Sequence, residues 1–154
     1  MRFNTKEEYA EYAKSLFLEG YNCTQAVVLA FSDFTGLDEN LSKKIASPFG
    51  GGMGRLREVC GAVSGMFIVL GALEGYSDSD NIEEKTRLYK TVQLLASKFE
   101  KENGSIICRE LLGLNKGHDS FVPSERTKEY YDKRPCPDTV ASAATILADY
   151  LLNE

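Results

Sequence analysis

Residues 49–65 read FGGGMGRLREVCGAVSG and join a glycine-rich segment to a cysteine at the head of an apolar run. Within this run, apolar residues recur at steps of three and four, as on one face of an α-helix: Val63, Phe67, Leu70 and Leu73. We therefore predict a helix over about residues 58–74, with Cys60 in its first turn.

The same helical spacing continues on both sides of this segment, and no stretch alternates apolar and polar residues over the length of a strand. Residues 113–122 are predicted to be loop. Further helices are predicted over residues 6–19, 23–34, 38–46, 78–103, 106–112, 123–131 and 137–152. The pattern predicts an all-α fold, a compact bundle of about five main helices plus short helices.

The composition describes one globular domain over residues 1–154, with 43% hydrophobic and 27% charged residues. A net charge of -5 disfavours binding to nucleic acid and to anionic membrane surfaces. The most apolar segment, residues 59–73, is shorter than the roughly 20 residues that span a bilayer. The N-terminal residues lack a signal-peptide pattern, so we expect a cytoplasmic protein without membrane or nucleic-acid partners.

The four cysteines all fall at or near predicted helix N-termini: Cys23, Cys60, Cys108 and Cys136. A helix N-terminus carries partial positive charge and unpaired N–H groups, which favour a thiolate over a thiol. We therefore expect thiol pKa values below the free value of about 8.5. Long stretches separate the cysteines, and no C-x-x-C pair occurs.

Three interpretations of these cysteines stay open. Four thiolates from separate segments can hold an iron–sulfur cluster or, alternatively, tetrahedral zinc, for electron transfer or redox sensing with a redox partner protein. In a thiol–disulfide protein without metal, Cys60 would be the reactive thiol and a second cysteine would resolve the mixed disulfide. In a non-catalytic helical module that binds a partner, the cysteines would be structural.

Small and basic residues surround Cys60 in the sequence. We assign Gly51, Gly52 and Gly61 to cofactor binding, because glycine permits close backbone approach and N–H groups can bond to sulfur. Nearby guanidinium groups would stabilise thiolates: Arg55, Arg57 and Arg109. Two glycine pairs spaced four residues apart predict close helix packing: Gly61 with Gly65, and Gly71 with Gly75.

The glycine-rich segment and the CGAVSG sequence at residues 60–65 resemble the central signature of the C_GCAxxG_C_C family. Cys23, in GYNC at residues 20–23, resembles the family's first cysteine, and Cys60 the second. Cys108, in CRELLG, resembles the third, and Cys136 the fourth. The resemblance implies a redox-active or metal-related protein whose site is built from these four cysteines.

Overall fold

The computed structural model describes residues 1–115 and 118–153, which fold into helices. The predicted all-α fold is confirmed. The helices are α1 (Lys6–Leu18), α2 (Cys23–Ala30), α3 (Ser32–Thr35), α4 (Glu39–Ala46), α5 (Gly50–Met53), α6 (Gly61–Glu74), α7 (Ile82–Asn103), α8 (Cys108–Leu111), α9 (Lys128–Lys133) and α10 (Cys136–Leu152), with a 3-10 turn at Ser47–Phe49.

The core lies where α10 packs along α1 and contacts α2, α6 and α7, while α2 packs along α6. The predicted apolar faces of α1, α2 and α10 supply fully buried side chains: Tyr9, Ala13, Ala26, Val27, Ala30, Phe31, Val140, Ala143, Ala144 and Leu147. The face predicted for α6 is partly wrong, since Phe67 is half-buried and Leu73 is 37% exposed. Because α6 is covered by helices on several sides, Ala62, Met66 and Val69 are fully buried instead.

The described part of the chain contains a single antiparallel β-bridge, between Val59 and Ile107. Because of this bridge, two helices are shorter than predicted. The Cys60 N–H donates to the Ile106 carbonyl (2.7 Å), and the Cys108 N–H donates to the Glu58 carbonyl (2.6 Å). The two chain segments in this bridge are extended and not helical. The helix α6 therefore begins at Gly61 instead of residue 58, and α8 begins at Cys108 instead of residue 106.

Other boundaries move because of local capping. The predicted helix 23–34 is interrupted at Phe31 (φ −107°, ψ 20°) and continues as α3. The Asn81 and Thr127 side chains cap α7 and α9, which therefore begin later than predicted. Of the predicted loop 113–122, residues 116 and 117 lie outside the described residues, and its other residues contain no helix.

The predicted close packing at glycine pairs is confirmed for one pair and wrong for the other. A Cβ on Gly65 would lie 2.8 Å from the Val27 Cβ, which shows how closely α6 approaches α2. Gly71 is exposed, and a Cβ there would meet nothing within 4 Å. Among the helices described, none is both long and apolar enough to cross a membrane.

A buried tyrosine links α1 to α3. Tyr9 is fully buried, its ring stacks on Phe31 (4.9 Å between centroids), and its hydroxyl donates to Asp33 Oδ2 (2.6 Å). Burial, and next the hydrogen bond to Asp33, raise the pKa of Tyr9 to about 12. The hydroxyl therefore stays protonated over a range in which an exposed tyrosine would ionise.

We expect Tyr9→Phe to lower the free energy of unfolding at pH 8 by about 1.5–3 kcal/mol, the value of a hydrogen bond to a charged group. The unfolded Tyr9 ionises near its ordinary pKa of 10.0, whereas the folded one ionises near 12. The folded wild type thus binds more protons than the unfolded chain between these values, and its stability falls as the pH rises from 10 to 12.

The stability gap between wild type and Tyr9→Phe should therefore narrow from pH 8 to pH 11, as measured by urea unfolding. Tyr12→Phe is the matched control on the same helix, because a phenylalanine keeps the ring that Arg2 contacts at 4.7 Å. A gap that stays constant from pH 8 to pH 11 would contradict the role given to the Tyr9 hydroxyl.

Candidate functional site

One cavity brings together cysteines from four distant parts of the chain. Its wall includes all four: Cys23, Cys60, Cys108 and Cys136. The cavity has a volume of about 60 Å³, several times the roughly 10–15 Å³ that a single water needs. Chemistry that requires several sulfur atoms at one place can therefore occur here.

Each cysteine lies at the start of a different helix, which agrees with the expectation from the sequence. Cys23 is the first residue of α2, directly after the capping Asn22, and Cys60 is itself the N-cap of α6. Cys108 and Cys136 are the first residues of α8 and α10. The cavity is therefore surrounded by the amino ends of four helices.

The cysteines are all free, and three of them are buried while Cys136 is half-buried. Burial raises the pKa of Cys60 and Cys108, and it raises the pKa of Cys136 to about 12. The expectation of lowered pKa values is wrong for these three thiols, because removal from water outweighs the charge at the helix ends. Within residues 1–115 and 118–153, no group of three or more Cys, His, Asp or Glu side chains is arranged to hold a metal ion.

Two of the predicted glycines let cysteine side chains approach the backbone. A Cβ on Gly61 would overlap Cys23 Sγ, and it would lie 2.6 Å from Thr24 Oγ1. Gly52 has a φ of +67°, and a Cβ there would lie 2.6 Å from the Cys108 Cβ. Gly51 lines the cavity itself. The three glycines named from the sequence thus lie around the cysteines.

Arg57 is a buried charged residue that contacts one of the sulfur atoms. It is only 4% exposed, its φ is +59°, and its Nη1 donates to Cys108 Sγ at 3.6 Å. Its Nε donates to Asp119 Oδ2 at 2.8 Å, and this bond holds the pKa of Asp119 below its usual value. The guanidinium therefore places a positive charge beside Cys108 and is itself held by a carboxylate.

The other two predicted arginines support this arrangement from farther away. Arg109 forms an ion pair with Glu58 (3.2 Å) and donates to the Arg57 carbonyl (3.3 Å). The Arg55 Nε donates to the Ser120 carbonyl (2.7 Å), and this hydrogen bond connects the loop around Ser120 to the glycine-rich segment. Neither lines the cysteine cavity.

Arg126 and Tyr130 also line the cavity and were not identified from the sequence. Arg126 donates to the carbonyls of Phe17 and Tyr21 (both 3.0 Å), which lie at and beyond the end of α1. Burial raises the pKa of Tyr130, and the charge of Cys136 raises it further. No sequence pattern identifies these two residues as part of the site, because they reach the cysteines only through the packing of α9 beside α1.

We expect Gly61→Ala to lower the free energy of unfolding by about 1–3 kcal/mol, because the new methyl group must displace the Cys23 side chain. Gly71→Ala is the matched control on the same helix, and it should raise stability by about 0.5–1 kcal/mol. Urea unfolding measures both effects, and the rate of Cys23 alkylation reports whether the sulfur is displaced. Equal effects of the two substitutions would contradict this contact.

A comparison with protein families gives one match. The family described as "Putative redox-active protein (C_GCAxxG_C_C)" matches residues 21–150, a range that includes all four cysteines. In comparisons with curated proteins and with solved structures, nothing matches the chain. The family match agrees with the clustering of the four cysteines, and the chain belongs to the C_GCAxxG_C_C family.

Proposed function

We propose that the cavity is a thiol–disulfide redox centre in which Cys23 and Cys60 form the pair that cycles. The observation that carries this proposal is the contact of Cys23 Sγ with the backbone of Gly61, the residue that follows Cys60. The charge of Cys23 is also the strongest influence of any other thiol on the pKa of Cys60. The Cys23 sulfur therefore lies against the residue next to Cys60, and both cysteines line the same cavity.

The chemistry suits a buried site. Oxidation removes two protons and two electrons from the Cys23 and Cys60 thiols and forms one S–S bond, and a dithiol partner reverses it. Both end states are uncharged, so neither leaves an unpaired charge in surroundings that disfavour thiolates. Cys60 is the reactive thiol in this proposal, and Arg57 places a positive charge in the same cavity through its hydrogen bond to Cys108.

The proposal includes a redox partner protein that returns the electrons after each cycle. A cytoplasmic location would provide such partners, because thiol systems there keep cysteines reduced. The centre would then rest with four free thiols, as the cysteines are in this structure.

The test is a titration of the reduced protein in buffers of mixed oxidised and reduced dithiothreitol, with thiols counted by alkylation and mass spectrometry. We expect the wild type to lose two of its four thiols in one step, with the new bond mapped between Cys23 and Cys60. Cys60→Ser should abolish this step, whereas Cys136→Ser, the matched control, should keep it. If the folded wild type keeps four thiols at every ratio, the cysteines are structural and the module binds a partner without redox chemistry.

A second candidate is an iron–sulfur centre, which the shared cavity favours. The kind of donor is right, because two-iron and four-iron clusters are held by four thiolates and this cavity is lined by Cys23, Cys60, Cys108 and Cys136. Among the described residues these side chains are not arranged around a metal position, so binding of a cluster requires them to turn toward one point. Arg57 and Arg126 line the same cavity and would offset negative charge. A bound cluster would supply one-electron transfer or redox sensing, with Gly51, Gly52 and Gly61 keeping backbone close to it. Tetrahedral zinc is the alternative metal for the same thiolates.

Purification without air, followed by iron, sulfide and zinc analysis and a visible spectrum, separates these candidates. A cluster predicts brown protein with stoichiometric iron and sulfide, both lost in Cys108→Ser. Stoichiometric zinc in colourless protein would favour a structural or regulatory zinc site. Colourless protein without metal would contradict both metal proposals and leave the thiol–disulfide centre.

A further inference from the structure

A second, larger space adjoins the cysteine cavity. It is an open cleft of about 410 Å³, which lies within the range of small-molecule sites. Five residues line both spaces: Asn22, Gly51, Arg57, Arg126 and Tyr130. Gly51 has no side chain, so the wall between the cleft and the cysteines is thin at this point. A molecule in the cleft would lie one residue away from the sulfur atoms.

The cleft concentrates positive charge on a chain whose net charge is -5. Arg55, Arg57 and Arg126 all line it, and among the described residues of its wall there is no aspartate or glutamate. Asp119 offsets part of this charge, because it lies 2.8 Å from Arg57 and 3.9 Å from Arg55. Three guanidinium groups against one carboxylate leave the cleft basic, which favours an anionic ligand.

The burial of the cysteines limits the size of what can react with them. Cys23, Cys60 and Cys108 are each at most 9% exposed, so a small molecule reaches their sulfur atoms more readily than a disulfide held on the surface of a folded protein does. Between a small molecule in the cleft and the cysteines lies only the wall that the two spaces share. The rim also offers apolar surface, because Phe121 lines the cleft and is 91% exposed.

We propose that the cleft binds the oxidised substrate of the centre, a low-molecular-weight disulfide that carries carboxylates. This inference rests on the proposed thiol–disulfide function. The positive charge of the guanidinium groups attracts carboxylates, and the rest of the molecule would lie against the wall shared with the cysteine cavity. Arg55 and Arg126 are the residues that select the charge of the substrate.

The reaction balances without a further reactant. One cysteine loses its proton and attacks a substrate sulfur, which breaks the substrate S–S bond, forms a mixed disulfide and releases one small thiol after proton uptake. The second cysteine then loses its proton and attacks the sulfur of the first cysteine in the mixed disulfide, which closes the protein disulfide and releases the second small thiol after proton uptake. Two protein thiols are oxidised, and one substrate disulfide is reduced to two thiols.

The experiment measures the rate at which the reduced protein is oxidised by three disulfides of different charge. The probes are glutathione disulfide (anionic), bis(2-hydroxyethyl) disulfide (neutral) and cystamine (cationic). Each rate is divided by the rate of the same probe with free dithiothreitol, which removes differences in intrinsic reactivity. We expect the normalised rate of the wild type to be about tenfold or more higher with glutathione disulfide than with cystamine. This ratio corresponds to the free energy of one hydrogen bond to a charged group.

The arginines should carry this preference. In the double variant Arg55→Gln, Arg126→Gln the normalised rates with glutathione disulfide and with cystamine should differ by no more than about twofold. Arg87→Gln on α7 is the control, and it should leave the ratio of these rates unchanged. If Arg126→Gln does not fold, Arg55→Gln alone and a rise in salt from about 0.02 M to 0.5 M should each reduce the ratio.

Two outcomes separate this inference from the function on which it rests. Oxidation of the cysteine pair at the same normalised rate by all three probes would overturn the cleft as the substrate site and leave the redox centre intact. Failure of every probe to oxidise the folded, reduced wild type would overturn the proposed function itself.

Discussion

The contact between a sulfur atom and the backbone of one glycine holds the site together. Cys23 at the start of α2 lies against Gly61 at the start of α6, where any side chain would occupy the space of the sulfur. The Thr24 hydroxyl donates to the Gly61 carbonyl at 2.8 Å and fixes the same approach. Because α2 and α6 cross closely here, two cysteines that are far apart in sequence come to one cavity.

The second pair of elements is fixed by backbone hydrogen bonds. The bridge between Val59 and Ile107 joins the segment before α6 to the segment before α8, so Cys60 and Cys108 enter the cavity from neighbouring positions. Arg57 precedes this bridge with a left-handed backbone, which is uncommon for a residue with a side chain. Arg57 is also the residue that places a positive charge beside Cys108. Strained backbone conformations of this kind often occur at functional sites.

Burial and charge act in opposite directions on the thiols. Desolvation favours the protonated form, whereas the helix amino ends and the Arg57 guanidinium favour the thiolate. In Cys60, Cys108 and Cys136 desolvation prevails and raises the pKa, so these three thiols stay protonated. Arg57 and Arg126 place positive charge at the wall that the cavity shares with the adjoining cleft, which Arg55 also lines. Three protonated thiols thus lie beside a basic cleft, as the proposed binding of a small anionic substrate requires.

The sequence alone determined the all-α class, most of the helices and the position of each cysteine at a helix start, because apolar spacing and capping residues are local signals. It did not predict the bridge at Val59, since a single pair of residues leaves no periodic pattern. It also led to the wrong direction for the pKa values of Cys60, Cys108 and Cys136, because burial depends on which helices cover a residue. Only the tertiary structure brought Arg126 and Tyr130 to the cysteines, since their place depends on the packing of distant segments of the chain.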